Sequence, residues 1–164
     1  MSANKGVMDE TDRPAASMKK ADYVTMLVSG QLFGIPVLEV HDVFVPTRLA
    51  HVPMAPPEIA GVLNLRGRIV TAIDLRQRLG YEPREAGAQV MAVVIEYHGE
   101  PYSLLVDSVG EVLSLAEAAF ERNPSNLDPK LREVSEGIFR LADSLMVVIQ
   151  LDRIIQFLNG AVAA

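Results

Sequence analysis

The sequence contains no cysteine among its 164 residues. That removes disulfide frameworks, thiolate metal centres and thiol nucleophiles at once, and it is compatible with a reducing compartment. Positive charge is scarce: 15 Lys and Arg stand against 21 Asp and Glu, for a formal net charge of -6 and a pI near 5.0. Nucleic-acid binding needs a clustered basic face, so no nucleic-acid partner is expected. No uninterrupted apolar run reaches the ~18 residues that a bilayer span requires. The opening "MSANKGVMDETDRPAASMKKAD" has no apolar h-region, so residues 1–21 read as a flexible polar tail and not as a signal peptide. No direct membrane insertion is expected, and a cytoplasmic location is.

Catalytic signatures are missing too. There is no G-x-S-x-G, no phosphate-cradling glycine loop and no dinucleotide fingerprint. The three histidines, His41, His51 and His98, fall in three separate segments. Without cysteine or a His/Glu pair at fixed spacing, no metal site is expected. Asp42, Asp74 and Asp107 read as surface or capping groups, not as a catalytic carboxylate pair. The expectation is a protein that is not an enzyme and takes no cofactor. A small-ligand-binding barrel remains the competing reading from another class.

What is present is a patterned, moderately apolar chain. Hydrophobic residues make up 49% and charged residues 22%, which fits a globular domain able to bury a core. "YVTMLVS" and "LFGIPV" flank Gly30-Gln31 as strand, turn, strand. "VLEVHDVF" suits either a helical turn or a strand. Residues 46–57 are rich in proline, which cannot feed a ladder, and read as extended edge or loop. "IAGVLNL" and "RIVTAIDL" form a second hairpin across Arg66-Gly67. Asp74 is placed to cap a short helix, "LRQRL", with Gly80 as its stop.

The second half repeats this plan. "QVMAVVIEY" and "PYSLLV" make a hairpin around His98-Gly99. "DSVGEVLSL" follows, and then a polar loop over residues 117–136. "GIFRL" and "LMVVIQL" form the last hairpin, and Asp152 is expected to cap "RIIQFL", which Asn159-Gly160 ends. Gly30, Phe33, Ile35 and Val37 align with Gly99, Tyr102, Leu104 and Val106 at an offset of 69 (99 − 30). Gly61, Leu65, Ile73 and Leu75 align with Gly137, Leu141, Ile149 and Leu151 at an offset of 76 (137 − 61). The difference falls in the middle loop, where insertions are tolerated.

An internal duplication is therefore expected, with two intertwined barrel subdomains, halves of roughly 22–85 and 86–160, inside a domain spanning 22–160. Each half supplies about five short strands. Several are apolar on both faces, as in Met91, Val93 and Ile95 against Val90, Ala92 and Val94. An open sheet would leave those faces and edges bare. The expected fold class is mainly β: two pseudo-equivalent five-stranded barrels packed together, with short helices.

One turn is ambiguous. Arg66-Gly67 reads either as a soluble connection, glycine supplying positive φ, or as an interface anchor, a guanidinium held on a rigid hairpin beside apolar neighbours. Val40 could likewise be core or surface, and Asp42 solvated or functional.

Four blocks in order bear on that choice: "IPVLEVHDVF", "APPEIAGVLNLRGRIVTAIDLRQRLG", "LLVDSVGEVLSL" and "GIFRLADSLMVVIQLDRII". Together they resemble the CheW-like family, the coupling proteins of bacterial chemotaxis, over residues 23–158. The most specific element is the G-x-x-N-L-R-G-x-I-x-x-x-x-D-L run of residues 61–75. Thr71 stands where the family often has proline, a strand position that suits a β-branched residue.

The resemblance implies two SH3-like β-barrels and a non-enzymatic scaffold. It implies a methyl-accepting receptor's cytoplasmic tip and the regulatory domain of a CheA-type histidine kinase as partners, and recruitment to receptor arrays at the membrane. It also implies a receptor-binding surface comprising Val40, Asp42, Asn64, Leu65, Arg66 and Gly67. Related adaptors serve pilus, gliding and other chemosensory systems, which stay as alternatives. A detached piece of the kinase shares the fold; the polar tail and the ending "NGAVAA" lead us to expect a stand-alone chain.

Overall fold

The computed structural model describes residues 19–158. Ten strands occur in chain order: β1 (Lys20–Val28), β2 (Gln31–Pro36), β3 (Val40–Phe44), β4 (Ile59–Leu65), β5 (Arg68–Asp74), β6 (Met91–Tyr97), β7 (Glu100–Val106), β8 (Ser108–Ala116), β9 (Ser135–Arg140) and β10 (Leu145–Ile149). Three short helices, α1 (Leu75–Arg78), α2 (Pro129–Arg132) and α3 (Leu151–Ile155), and two 3-10 turns, Val37–Glu39 and Glu117–Ala119, connect them. "VLEVHDVF" is thus both alternatives in succession, turn and then strand. Strand β1 starts at Lys20, paired with Ala116, so the ladder begins two residues inside the segment read as tail. Residues 1–18 of that tail and the Asn159-Gly160 stop lie outside the described residues.

Three hairpins close with two residues at positive φ: Ser29-Gly30 (52° and 83°), Arg66-Gly67 (51° and 85°) and His98-Gly99 (54° and 80°). This is the type I′ turn, whose twist matches that of the flanking strands. The turn geometry demands glycine at the second place and tolerates a non-β-branched residue at the first.

The strands form two five-stranded sheets, ordered β8-β1-β2-β10-β9 and β3-β6-β7-β5-β4. Advancing each strand by half the chain (β1 to β6, β2 to β7, and so on) converts one order into the other. The parallel pairs agree in register as well: Val147 faces Phe33 where Thr71 faces Tyr102, the residues related by offsets of 76 and 69. The sheets are not the two sequence halves. The first takes β1 and β2 from one half and β8 to β10 from the other, so the halves exchange hairpins. The reason lies in the crossovers: Val37–Glu39 after β2 and the single residue Asp107 after β7 are too short to return the chain to its own sheet, so it passes directly to the neighbouring one.

Each sheet is closed into a barrel by one bridge beyond its ladder. Ala50, after β3, pairs with Val62 on β4, and Glu121, after β8, pairs with Ile138 on β9. Both closures lie against a glycine. A Cβ on Gly61 would sit 2.6 Å from the Ala50 carbonyl oxygen, and one on Gly137 would sit 2.6 Å from that of Glu121. The repeated glycine is therefore a backbone-contact requirement of closure.

Strand alternation explains the two-sided hydrophobicity. Phe33, Ile35, Ile73, Val93, Ile95, Leu104, Val147 and Ile149 face a shared core between the sheets. Their neighbours Val70, Ala72, Ala92 and Leu105 fill one barrel, and Phe139, Met146 and Val148 fill the other. Each large side chain so buried contributes about 1.5–3 kcal/mol.

The helix caps differ from expectation in one case. The Asp74 side chain accepts from the Arg76 amide at the start of α1, as its position predicts. At α3 the cap is Gln150, without a side-chain hydrogen bond, and Asp152 lies in the first turn. The repeat accounts for this, since Gln150 is the counterpart of Asp74 (150 − 76). The polar stretch of residues 117–136 is not all loop. It contains α2, capped by Asp128 accepting from the Lys130 amide with Pro129 opening the helix.

Candidate functional site

The β4–β5 hairpin brings four of the six expected site residues together. Asn64 Oδ1 accepts the Gly67 amide at 2.9 Å and so braces the turn that carries Arg66. Leu65 is half-buried against the interior of its barrel. Arg66 projects outward, its side chain 78% exposed, and donates from Nη2 to Asp42 Oδ2 at 3.0 Å. Asp42 is a neighbour in space because closure of the barrel through the Ala50–Val62 bridge brings β3, the far edge of the β3-β6-β7-β5-β4 order, round to β4. Its other carboxylate oxygen accepts the Val43 amide at 2.8 Å, which orients the carboxylate toward the turn. Val40 is placed differently: it is half-buried and packs against the shared core.

Beside the ion pair lies a groove of about 180 Å³, walled by His41, Leu65, Arg66, Arg68, Val94 and Glu96. Its floor is apolar and its rim carries both signs of charge, with His41 Nε2 at 3.5 Å from Glu96 Oε1. Four of these residues, His41, Arg68, Val94 and Glu96, escaped sequence reasoning. They come from β3, β5 and β6, and the β3–β6 pairing has no local signal.

The duplication supplies an internal control. The corresponding groove on the other barrel, of about 390 Å³, is lined by residues including Thr25, Glu111, Leu141, Ala142 and Asp143. Here Ala142 replaces Arg66 (142 − 76) and no basic side chain lines the groove. Core packing requires the fold twice, but the arginine appears once. A guanidinium offers five donors in a fixed fork and is weakly hydrated, properties suited to gripping a partner.

A second charged cluster lies where the sheets meet. Asp107 receives Arg76 Nη2 at 2.7 Å, Arg84 Nε at 2.8 Å and the Ser29 amide at 2.7 Å. Burial alone would raise its carboxyl, but the hydrogen bonds from Arg76, Ser29 and Arg84 hold it down at about 2. Asp74 joins through Arg84 at 3.4 Å. Sequence reasoning read Asp107 as a surface or capping group; it is instead the hub of a partly buried ion network joining α1 to the β1–β2 turn. Among the described residues, no three metal-ligating side chains gather, and no helix is long and apolar enough to cross a membrane.

Comparison with known proteins agrees with this architecture. The profile of the CheW-like domain matches residues 22–158. The chain is 26% identical over 132 residues to the chemotaxis protein CheW of Bacillus subtilis, covering 80% of this chain and 85% of that one. It is 28% identical over 112 residues to the protein PilI of Pseudomonas aeruginosa, covering 68% and 63%. Among solved structures, the scaffolding protein TtCheW of Thermoanaerobacter tengcongensis superposes with a TM-score of 0.76 at 28% identity, over 84% of this chain and 94% of that chain.

Proposed function

The chain belongs to the CheW-like family, and on that premise we propose that it is a non-enzymatic scaffold of chemotaxis signalling, coupling the cytoplasmic tips of methyl-accepting receptors to the regulatory domain of a CheA-type histidine kinase. The observation that carries the receptor side is the asymmetry between the barrels. Arg66, braced by Asn64 and held by Asp42 over an apolar-floored groove, has Ala142 as its counterpart. We assign Asp42, Asn64, Leu65, Arg66 and Gly67 to that surface, with Val40 supporting β3 from beneath. A helical receptor tip offers apolar ridges flanked by charge, a match for such a groove. The Arg66–Asp42 pair is solvent-facing, so it stabilises the fold little. Its geometry is better suited to fixing the direction of the guanidinium before a partner arrives.

The mechanism needs no bond chemistry. Holding receptor and kinase on one rigid body raises their effective concentration and fixes their mutual orientation. A receptor signal passes to the kinase only if the two receptor states bind this body differently. The protein itself works in the cytoplasm and reaches the membrane through its receptors.

The experiment is a capture assay with separate receptor-tip and kinase-domain fragments. Arg66→Glu is expected to reduce receptor capture at least tenfold, roughly 1.4 kcal/mol, with kinase capture and melting temperature unchanged. Equal receptor capture would remove Arg66 from the surface. The 28% identity to PilI favours one second reading, service to a pilus system by the same surface; receptor fragments from the two kinds of system distinguish them.

A further inference from the structure

The groove beside Arg66 is the open end of a barrel. Its rim takes one residue from each strand of the β3-β6-β7-β5-β4 sheet: His41, Glu96, Pro101, Arg68 and Leu65 in that order. Its floor is Val70 and Val94. Strand alternation puts Val70 on the same inward face as Arg68, and Val94 on the same face as Glu96, one step deeper. Ser103 belongs to that deeper layer. It pairs with Val94 just as Pro101 pairs with Glu96, and it is fully buried. Its hydroxyl is the one buried side-chain polar atom without a hydrogen-bond partner among the described residues.

The other barrel shows that packing does not call for this hydroxyl. There the place of Ser103 is held by Gly34 (103 − 69) and that of Val70 by Met146 (146 − 76). The Met146 thioether covers Gly34, its sulfur 2.7 Å from where a Cβ would stand, and so fills the layer. The hydroxyl in that layer belongs to Thr25, the counterpart of Val94 (94 − 69), and it donates to the Glu111 carbonyl at 2.7 Å. One barrel is thus plugged and satisfied below its mouth, while the other keeps an unpaired hydroxyl beneath an opening. The rims differ in the same sense. Arg68 has Ser144 as its counterpart (144 − 76), and unlike Arg66 it makes no ion pair among the described residues.

We propose that this barrel mouth is a socket for one side chain of the receptor helix. That side chain is apolar along its stem and ends in a hydrogen-bonding group; it enters over Val70 and Val94 and meets the Ser103 hydroxyl, while Arg68 takes a carboxylate from the next turn of the same helix. The inference deepens the receptor reading above and rests on it. A cavity of about 180 Å³ admits a side chain but not a helix. An unpaired buried hydroxyl destabilises the free protein, and a polar tip arriving from a partner relieves that. Having no partner of its own, the hydroxyl is free to turn about χ1 toward the opening. Residues three or four apart share one face of a helix, so one can fill the socket while the other reaches Arg68. A wholly apolar tip would leave the hydroxyl orphaned, and by that difference the socket selects among receptor helices.

Capture of receptor-tip and kinase-domain fragments by the full chain, read beside its stability in urea, tests the socket. Ser103→Ala is expected to weaken receptor capture severalfold while it stabilises the fold. A hydroxyl with a purely structural role would not move the two in opposite directions. Arg68→Glu is expected to weaken receptor capture about tenfold, and both variants should capture the kinase fragment as the parent does. Exchanging each Asp and Glu of the receptor fragment for Lys in turn should yield one fragment that the Arg68→Glu protein captures again. Receptor capture that Ser103→Ala leaves unchanged or improves overturns the proposal, and so does an Arg68→Glu variant that binds like the parent. A Ser103→Ala variant less stable than the parent overturns it too, because the hydroxyl would then have an internal partner. If Arg66→Glu loses the receptor while these two variants keep it, the socket falls and the receptor surface stands. If all three keep it, both fall.

Discussion

Asp107→Asn is the perturbation whose magnitude can be worked most directly. The substitution keeps the side chain's shape and removes its charge. A carboxyl held at about 2 against an ordinary 3.8 stabilises the native state at neutral pH by about 2 kcal/mol, at roughly 1.4 kcal/mol per pH unit. The side chain is 21% exposed, so solvent screening removes only part of this. Arg76 and Arg84 are left in partly buried positions without their shared anion, which adds to the loss. The expected destabilisation is about 2 kcal/mol, or a fall in melting temperature of roughly 4–8 °C for a domain of this size. The sign with pH follows from the depressed value. The stabilisation is complete above about pH 4 and drains away as pH falls toward 2. Urea unfolding followed by circular dichroism, from pH 7 to pH 2.5 on both proteins, measures it. The two stabilities should draw together as pH falls, with roughly a third of the difference left at pH 2.5. A variant within about 0.5 kcal/mol of the parent at pH 7, or a difference that stays constant down to pH 2.5, refutes the reasoning.

Other predictions test closure and packing. Gly61→Ala and Gly137→Ala each force a methyl group into a carbonyl 2.6 Å away, so each should destabilise by about 1–3 kcal/mol. Near-neutral effects in both would show that the closing bridges are not required. The Ser103 hydroxyl is fully buried and has no hydrogen-bond partner among the described residues. Ser103→Ala should therefore stabilise by about 1 kcal/mol in urea titration, and a loss of stability would reveal a partner for that hydroxyl.

Much of this was legible in the sequence because the duplicated signals are local. Two-residue turns with glycine second, alternating apolar strands and the Asp74 cap declare themselves within a few residues. The offsets of 69 and 76 even locate the α3 cap at Gln150, against the stronger local appeal of Asp152. What was not legible is long-range. The exchange of hairpins between halves follows from crossovers only one and three residues long, yet nothing in residues 37–39 or 107 announces it by composition. The same holds for the site. Arg66, Asn64 and Gly67 stand out as a turn, but the Asp42 carboxylate, His41 and Glu96 join them only through the β3–β6 ladder together with the closure of the barrel onto β4. Asp107 was misjudged for the same reason, since its partners Ser29, Arg76 and Arg84 lie 78, 31 and 23 residues away.

The central claim is that this chain joins two partners on one body, and co-sedimentation of a ternary assembly measures that most directly. Receptor tips displayed on vesicles are mixed with the kinase, with and without this protein, and the kinase in the pellet is counted. The account predicts that kinase sediments several-fold more when the protein is present and that Arg66→Glu abolishes the gain. Kinase pelleting to the same extent with and without the protein would contradict it.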